Sequence, residues 1–308
     1  MPSDREELEV AELEHLAAAG NAGADDWTPE APPDHREYAR FTRLHRTLHA
    51  CMIISFISLA LTGMSLKFSY TAWAVTLSHL LGGFQTAGFI HRTAALVMFG
   101  TFAAHLLDLR RLKKREYGSW RKLLLGPDSM IPNRTDLREF MQTMKWFVGM
   151  GPRPQYGRWT YWEKFDYFAV FWGIFIIGST GLTLWFPVLF TRLFPGWMIN
   201  VATIIHSDEA LLATGFIFTV HFFNTHLRPE KFPMDTTVFT GRMPLAELRR
   251  DKPREYERLV ASGELAQYLA EPQPEVVVKA FRVFAWMALS IGFGVVIWIV
   301  YAMIFAYR

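Results

Sequence analysis

The sequence predicts an all-α fold: a polytopic membrane helical bundle with a four-helix core and a fifth, C-terminal transmembrane helix. Three observations predict it. Of 308 residues, 51% are AVILMFWYC and 15% aromatic, more than an ordinary soluble chain carries. The 20% that are charged crowd between long apolar runs. Five of those runs approach the roughly 20 apolar residues that a spanning helix needs. A net charge of +3, with no basic cluster interleaved with aromatics, argues against nucleic acid as a partner.

Residues 1–40 read as an acidic cytoplasmic tail. They lack the basic start and apolar core of a cleaved signal and are expected to remain attached. Ser3 before Asp4, Glu6 and Glu7 suggests a short helix, and Pro29, Pro32 and Pro33 an extended linker. The spans are expected at 48–67, 86–109, 167–190, 197–225 and 283–307, giving a core over 41–229 and a fifth helix within 279–308. Arg36, Arg40, Arg43 and Arg46 precede the first span, Arg110, Arg111, Lys113, Lys114 and Arg115 follow the second, and Arg228, Lys231, Arg242, Arg249 and Arg250 follow the fourth. The positive-inside rule then places the N-terminus in the cytoplasm and Arg308 outside. The connection over 110–166, with Trp120, Trp146, Trp159 and Trp162 among basic residues, has the composition of an interfacial segment. The charged stretch 230–278 predicts a cytoplasmic helical pair broken near Pro253, and no internal repeat stands out.

The histidines carry the chemistry. Cys51 is the single cysteine, and no CxxCH or paired-cysteine pattern is present, so a metal would be held by histidine or carboxylate. His91 and His105 on the second span are fourteen residues apart, which returns within roughly 40° of one face and separates them by about 21 Å. His206 and His221 on the fourth span are fifteen apart. Both spans run in the same direction, so His91 and His206 share one depth near the outer side and His105 and His221 another near the inner side. Imidazole is an axial ligand of haem iron, and ionisable groups inside a bilayer are functional candidates. Two noncovalent, bis-histidine b-type haems stacked across the membrane are therefore expected. His49 lies at the inner depth too and competes for a ligand position. His226, roughly 140° around from His221, is not expected on the same haem. His45 or His49 could serve a third haem; His79 is expected at the interface, and His15 and His35 in the tail.

Arg92 beside His91, and Arg46 near the inner site, are candidate partners for haem propionates. Gly63, Gly100, Gly178, Gly181 and Gly215 could make room for a flat macrocycle. Asp208 and Glu209 near the outer site, and Glu163, Lys164 and Asp166 near the inner one, are candidates for a quinone site, since quinol oxidation releases protons that a carboxylate can accept.

Arg46, His49 and Gly63, in the pattern R-x-x-H-x(13)-G, followed by a histidine early in the second span and two on the fourth, resemble the membrane cytochrome b subunits of formate dehydrogenase and nickel–iron hydrogenase. That resemblance implies His49 with His221 at the inner haem and His91 with His206 at the outer. FIHRTAALVMFGTFAAHLLDLRR and IIHSDEALLATGFIFTVH also resemble the second and fourth helices of the cytochrome b of quinol–cytochrome c and plastoquinol–plastocyanin oxidoreductases, which implies His105 with His221. The fifteen-residue spacing agrees with the plastoquinol type and tips the inner pair toward His105. The resemblances cover roughly 41–229.

The function expected is electron transfer between the quinone pool and a partner redox subunit, an iron–sulfur or multihaem cytochrome c chain, in a bacterial inner membrane. A haem-free membrane anchor and a histidine/carboxylate proton-relay transporter are the alternatives.

Overall fold

The computed structural model describes residues 35–232 and 234–306. The helix expected after Ser3, the proline linker and the placement of Arg308 lie outside the described residues.

Five helices are long and apolar enough to cross a membrane: Arg43–Lys67, Phe84–Tyr117, Tyr161–Trp185, Trp197–Leu227 and Glu275–Phe305. The first and third begin at threonine N-caps. Thr42 accepts from the His45 amide, and Thr160 accepts from the Glu163 amide in a reciprocal capping box. The spans pack as two hairpins, first with second and third with fourth, which meet where the first span touches the fourth. The fifth lies on the first and on the later part of the fourth. Ala60, Met64, Phe218, Phe222, Leu289 and Val295 form that shared core. A Cβ at Gly292 would come 2.5 Å from Phe218, so glycine there lets the fifth span close on the fourth. In lipid such packing acts through van der Waals contact more than through release of water. The second and third spans meet through aromatic edges, with the Phe102 and Phe171 rings 4.9 Å apart and Phe99 against Gly178.

A layer of strands and short helices covers one end of the bundle, here the basal end, which the charge pattern predicts to be cytoplasmic. Its sheet is antiparallel in the order Arg242–Pro244, Glu37–Ala39, Leu269–Ala270. Fully buried Tyr38, Leu248 and Leu265 pack beneath it with Leu259. The folded chain thus begins before the boundary expected at residue 40, because Tyr38 has a core to fill. The charged stretch forms Leu245–Asp251 and Pro253–Ala261, with Pro253 in the first turn, where its missing N–H costs no helical bond.

In the long connection, the helix Arg134–Phe147 is amphipathic with an inverted exposure. Asp136, Glu139 and Thr143 are buried against the protein, while Leu137, Phe140, Met141 and Met144 are exposed. Asp136 pairs with buried Lys164 at 2.9 Å, and Glu139 with Arg254. A helix that spends its polar face on the protein and turns its apolar face outward is built to lie against lipid.

Candidate functional site

At the apical end, opposite the basal layer, His91 of the second span and His206 of the fourth meet across the bundle. Their ring centroids are 6.2 Å apart and their planes 74° to each other. Two imidazoles on opposite sides of one metal, at about 2 Å per bond, place their centroids roughly 6 Å apart. The edge of each ring lies against a glycine. A Cβ at Gly63 would come 3.3 Å from His91 Cε1, and one at Gly181 would come 2.9 Å from His206 Cε1.

Hydrogen bonding fixes which nitrogen of each ring carries the proton. His206 Nδ1 lies 2.9 Å from the Ile177 carbonyl oxygen, which only accepts, so Nδ1–H donates. His91 Nδ1 lies 2.8 Å from Thr62 Oγ1, and that hydroxyl donates its single proton to the Ser58 carbonyl at 2.6 Å. Thr62 must therefore accept from His91. Both rings keep an Nε2 lone pair, the tautomer that an axial ligand needs. Among the described residues no group of three or more His, Cys, Asp or Glu side chains converges on a common ion site. Two imidazoles alone suit a metal whose remaining donors arrive with it, as a porphyrin's do. Gly100 and Gly215, each nine residues beyond an apical histidine, face open space where a Cβ would meet nothing within 4 Å.

The basal end resolves the three competing inner histidines into two clusters. His49 faces His221 and His226. His221 Nδ1 is 2.9 Å from Asp166 Oδ2, a carboxylate–imidazole pair that leaves Nε2 to a ligand. His105 instead faces His45 and Asp108, and its Nε2 is engaged by the Tyr167 hydroxyl at 2.8 Å. His45 pairs with Asp108 at 3.1 Å. The fourth span is π-helical over Ile217–His221 and Phe223–Leu227. The first π turn absorbs one residue, so the fifteen-residue spacing behaves as fourteen would in a regular helix, and it ceases to separate the two resemblances. Because i→i+5 bonding underwinds the helix, His226 also swings toward the side of His221 rather than away from it. Buried polar atoms without hydrogen-bond partners occur at this end: His49 Nδ1, His226 Nδ1, Asp166 Oδ1 and Arg228 Nε. Such atoms in a folded chain call for a bound group. The orphan Arg228 nitrogen suits an acidic one, so this donor set fits a haem with its propionates.

The remaining candidates divide by what they touch. Arg92 donates to the Gly88 carbonyl and lies 6.0 Å from the Trp185 ring, with no carboxylate against it among the described residues. Arg46 donates to the Phe239 carbonyl, which ties the first span to the basal layer. Asp208 is exposed and paired with Lys67 at 2.8 Å, while Glu209 accepts from Trp172 Nε1 at 2.6 Å. Glu163 holds Arg40 and Lys252 as well as its own helix cap, and Lys164 holds Asp136. Only Asp166 of the three basal candidates touches a histidine. The contacts of Thr62, Thr180, Tyr167 and Asp108 escape a reading of the sequence because each is made to a histidine on another span.

No protein-family model matches the chain, and no curated protein matches it.

Proposed function

We propose that this chain is a membrane cytochrome b subunit that binds two b-type haems and carries electrons between the quinone pool and a partner redox subunit. One observation carries the reading: His91 and His206, on diagonally opposed spans, sit at the spacing of two ligands on one metal with both Nδ1 protons engaged. At the basal depth His221, oriented by Asp166, and His49 would hold the second haem rather than His105, whose Nε2 is engaged by Tyr167. Bound haem supplies reversible one-electron chemistry at each depth.

The chain's own residues do the rest. The Thr62 and Ile177 acceptors hold the apical imidazoles, Asp166 holds the basal one, and Arg228 Nε is a donor open to an acid. Of the quinone candidates, Asp208, Glu163 and Lys164 are occupied by ion pairs and Asp166 by His221, which leaves Glu209 at the apical half. The partner is an iron–sulfur or multihaem cytochrome c chain, since this chain lacks the cysteines for either. The positive-inside pattern supports a basal layer on the cytoplasmic side, in what would be a bacterial inner membrane.

The proton-relay reading draws on one observation of its own, the Tyr167–His105 and His45–Asp108 contacts. Absorption separates the two. Purified protein should show a dithionite-reduced b-type spectrum with about two haems per chain, halved in His91→Ala and in His206→Ala. A colourless preparation overturns the haem reading and leaves the relay or a plain anchor.

A further inference from the structure

The two hairpins repeat in register. Arg40 and Arg158, Thr42 and Thr160, Thr62 and Thr180, Gly63 and Gly181, and Phe68 and Phe186 are each 118 residues apart. Thr42 and Thr160 cap the first and third spans, and both spans end in the sequence T-G-x-[ST]-L-x-F. The same register carries function-bearing contacts. Thr62 touches Nδ1 of His91 on the following span at 2.8 Å, and Thr180 touches Nδ1 of His206 on its following span at 3.3 Å. Each threonine donates its own proton to the carbonyl four residues earlier, Ser58 at 2.6 Å and Ile176 at 2.7 Å. Each hydroxyl is thereby left as an acceptor aimed at an imidazole N–H. The glycine that follows gives the ring the room a Cβ would occupy.

We propose that each threonine–glycine pair is a clamp that positions an apical histidine, with Thr62 and Thr180 setting the tautomer and the basicity of the two ligands. This rests on the bis-histidine reading above. An acceptor on Nδ1–H makes the imidazole a stronger donor and favours the more positive metal state. The two clamps differ in strength. Each ring also meets a backbone carbonyl, Leu59 for His91 and Ile177 for His206, but Thr62 lies 2.8 Å from its imidazole and Thr180 3.3 Å from its own. Thr62 should therefore matter more.

The test uses the full chain, purified with its haem, and reads potentiometric titration and the ferric low-spin electron-paramagnetic signal. Thr62→Val removes the hydroxyl while keeping the branched shape. It should shift the apical reduction equilibrium about three- to tenfold toward the reduced form, tenfold being 59 mV for one electron, and leave the basal haem at its own potential. Thr62→Ser should restore the parent value, and Thr180→Val should shift the same haem less. If Thr62→Val loses haem outright, retention of haem and potential in Thr62→Ser supports the clamp. An unshifted potential in haem-replete Thr62→Val, or a Thr62→Ser that behaves as Thr62→Val does, overturns it while the haem reading stands. A parent protein without haem fails both.

Discussion

Lys252 illustrates how a single side chain can make the basal layer sensitive to pH. It is buried, with Nζ 2.5 Å from Glu163 Oε2, and burial pushes its ammonium down from 10.5 to about 8, against the opposing pull of Glu163. In the unfolded chain it holds its proton until about 10.5, so between about 8 and 10.5 the unfolded state binds more protons than the folded one. Stability should rise across that window, by up to about 3 kcal/mol at 1.36 kcal/mol per pKa unit, and show no contribution from Lys252 below pH 8. Melting curves of the detergent-solubilised protein from pH 7 to 10.5 should show the rise in the parent and its loss in Lys252→Met. Equal slopes in the two would refute this account. Lys252 also shows what the sequence leaves hidden. Glu163 and Lys164 attract attention as ionisable groups at the end of a span, but what they do is decided by Arg40, Lys252 and Asp136, which lie far away in the chain. Asp208 is the same case at the other end, where Lys67 claims it. Histidine stands out in the sequence because ionisable residues inside a bilayer are costly and are functional candidates.

At the scale of elements, length and hydropathy were enough to place the five spans, since both are local properties. The helical registers were not. A period of 3.6 carries no warning of the π turns in the fourth span, and these decide whether His226 and His221 share a side. The helix Arg134–Phe147 was visible only as a composition bias, because which face is buried depends on Lys164 and Arg254 reaching Asp136 and Glu139 from elsewhere. Its orientation makes a prediction of its own. In a Cys51→Ser background, spin labels at 137, 141 and 144 should be relaxed more by dissolved oxygen than by an aqueous nickel chelate, as expected for sites in the acyl region. Labels at Arg138 and Lys145 should show the reverse. Equal access to the chelate at all five positions would mean that this helix stands in water.

Across the whole molecule, the repeat of a hairpin accounts for the apical pair: a spanning pair that presents one histidine early in its second helix, used twice, gives two histidines facing each other. It went unseen in the sequence because the lipid-facing residues of the two copies differ, and the shared Arg, Thr and Gly positions stand out only once helix caps align them. The hairpins are also loosely joined. Of the most apolar window in each span, 22% is buried in the first, 11% in the second, none in the third, 17% in the fourth and 28% in the fifth. The second and third spans each pack mainly on one neighbour and leave most of their surface uncovered by protein, part of which a pair of bound macrocycles would cover on the haem reading. A ligand present at a thousand times its dissociation constant stabilises the folded state by about 4 kcal/mol per site. Protein made in a haem-deficient host should melt well below the haem-replete form and should be cut by trypsin in the basic run from Arg110 to Arg115, where the second span leaves the bundle. Adding haemin to the solubilised protein should reverse both effects in the parent, and only in part in His91→Ala. Identical melting and cleavage with and without haem would mean that the bundle is complete as the chain alone builds it, and that its histidines serve something other than iron.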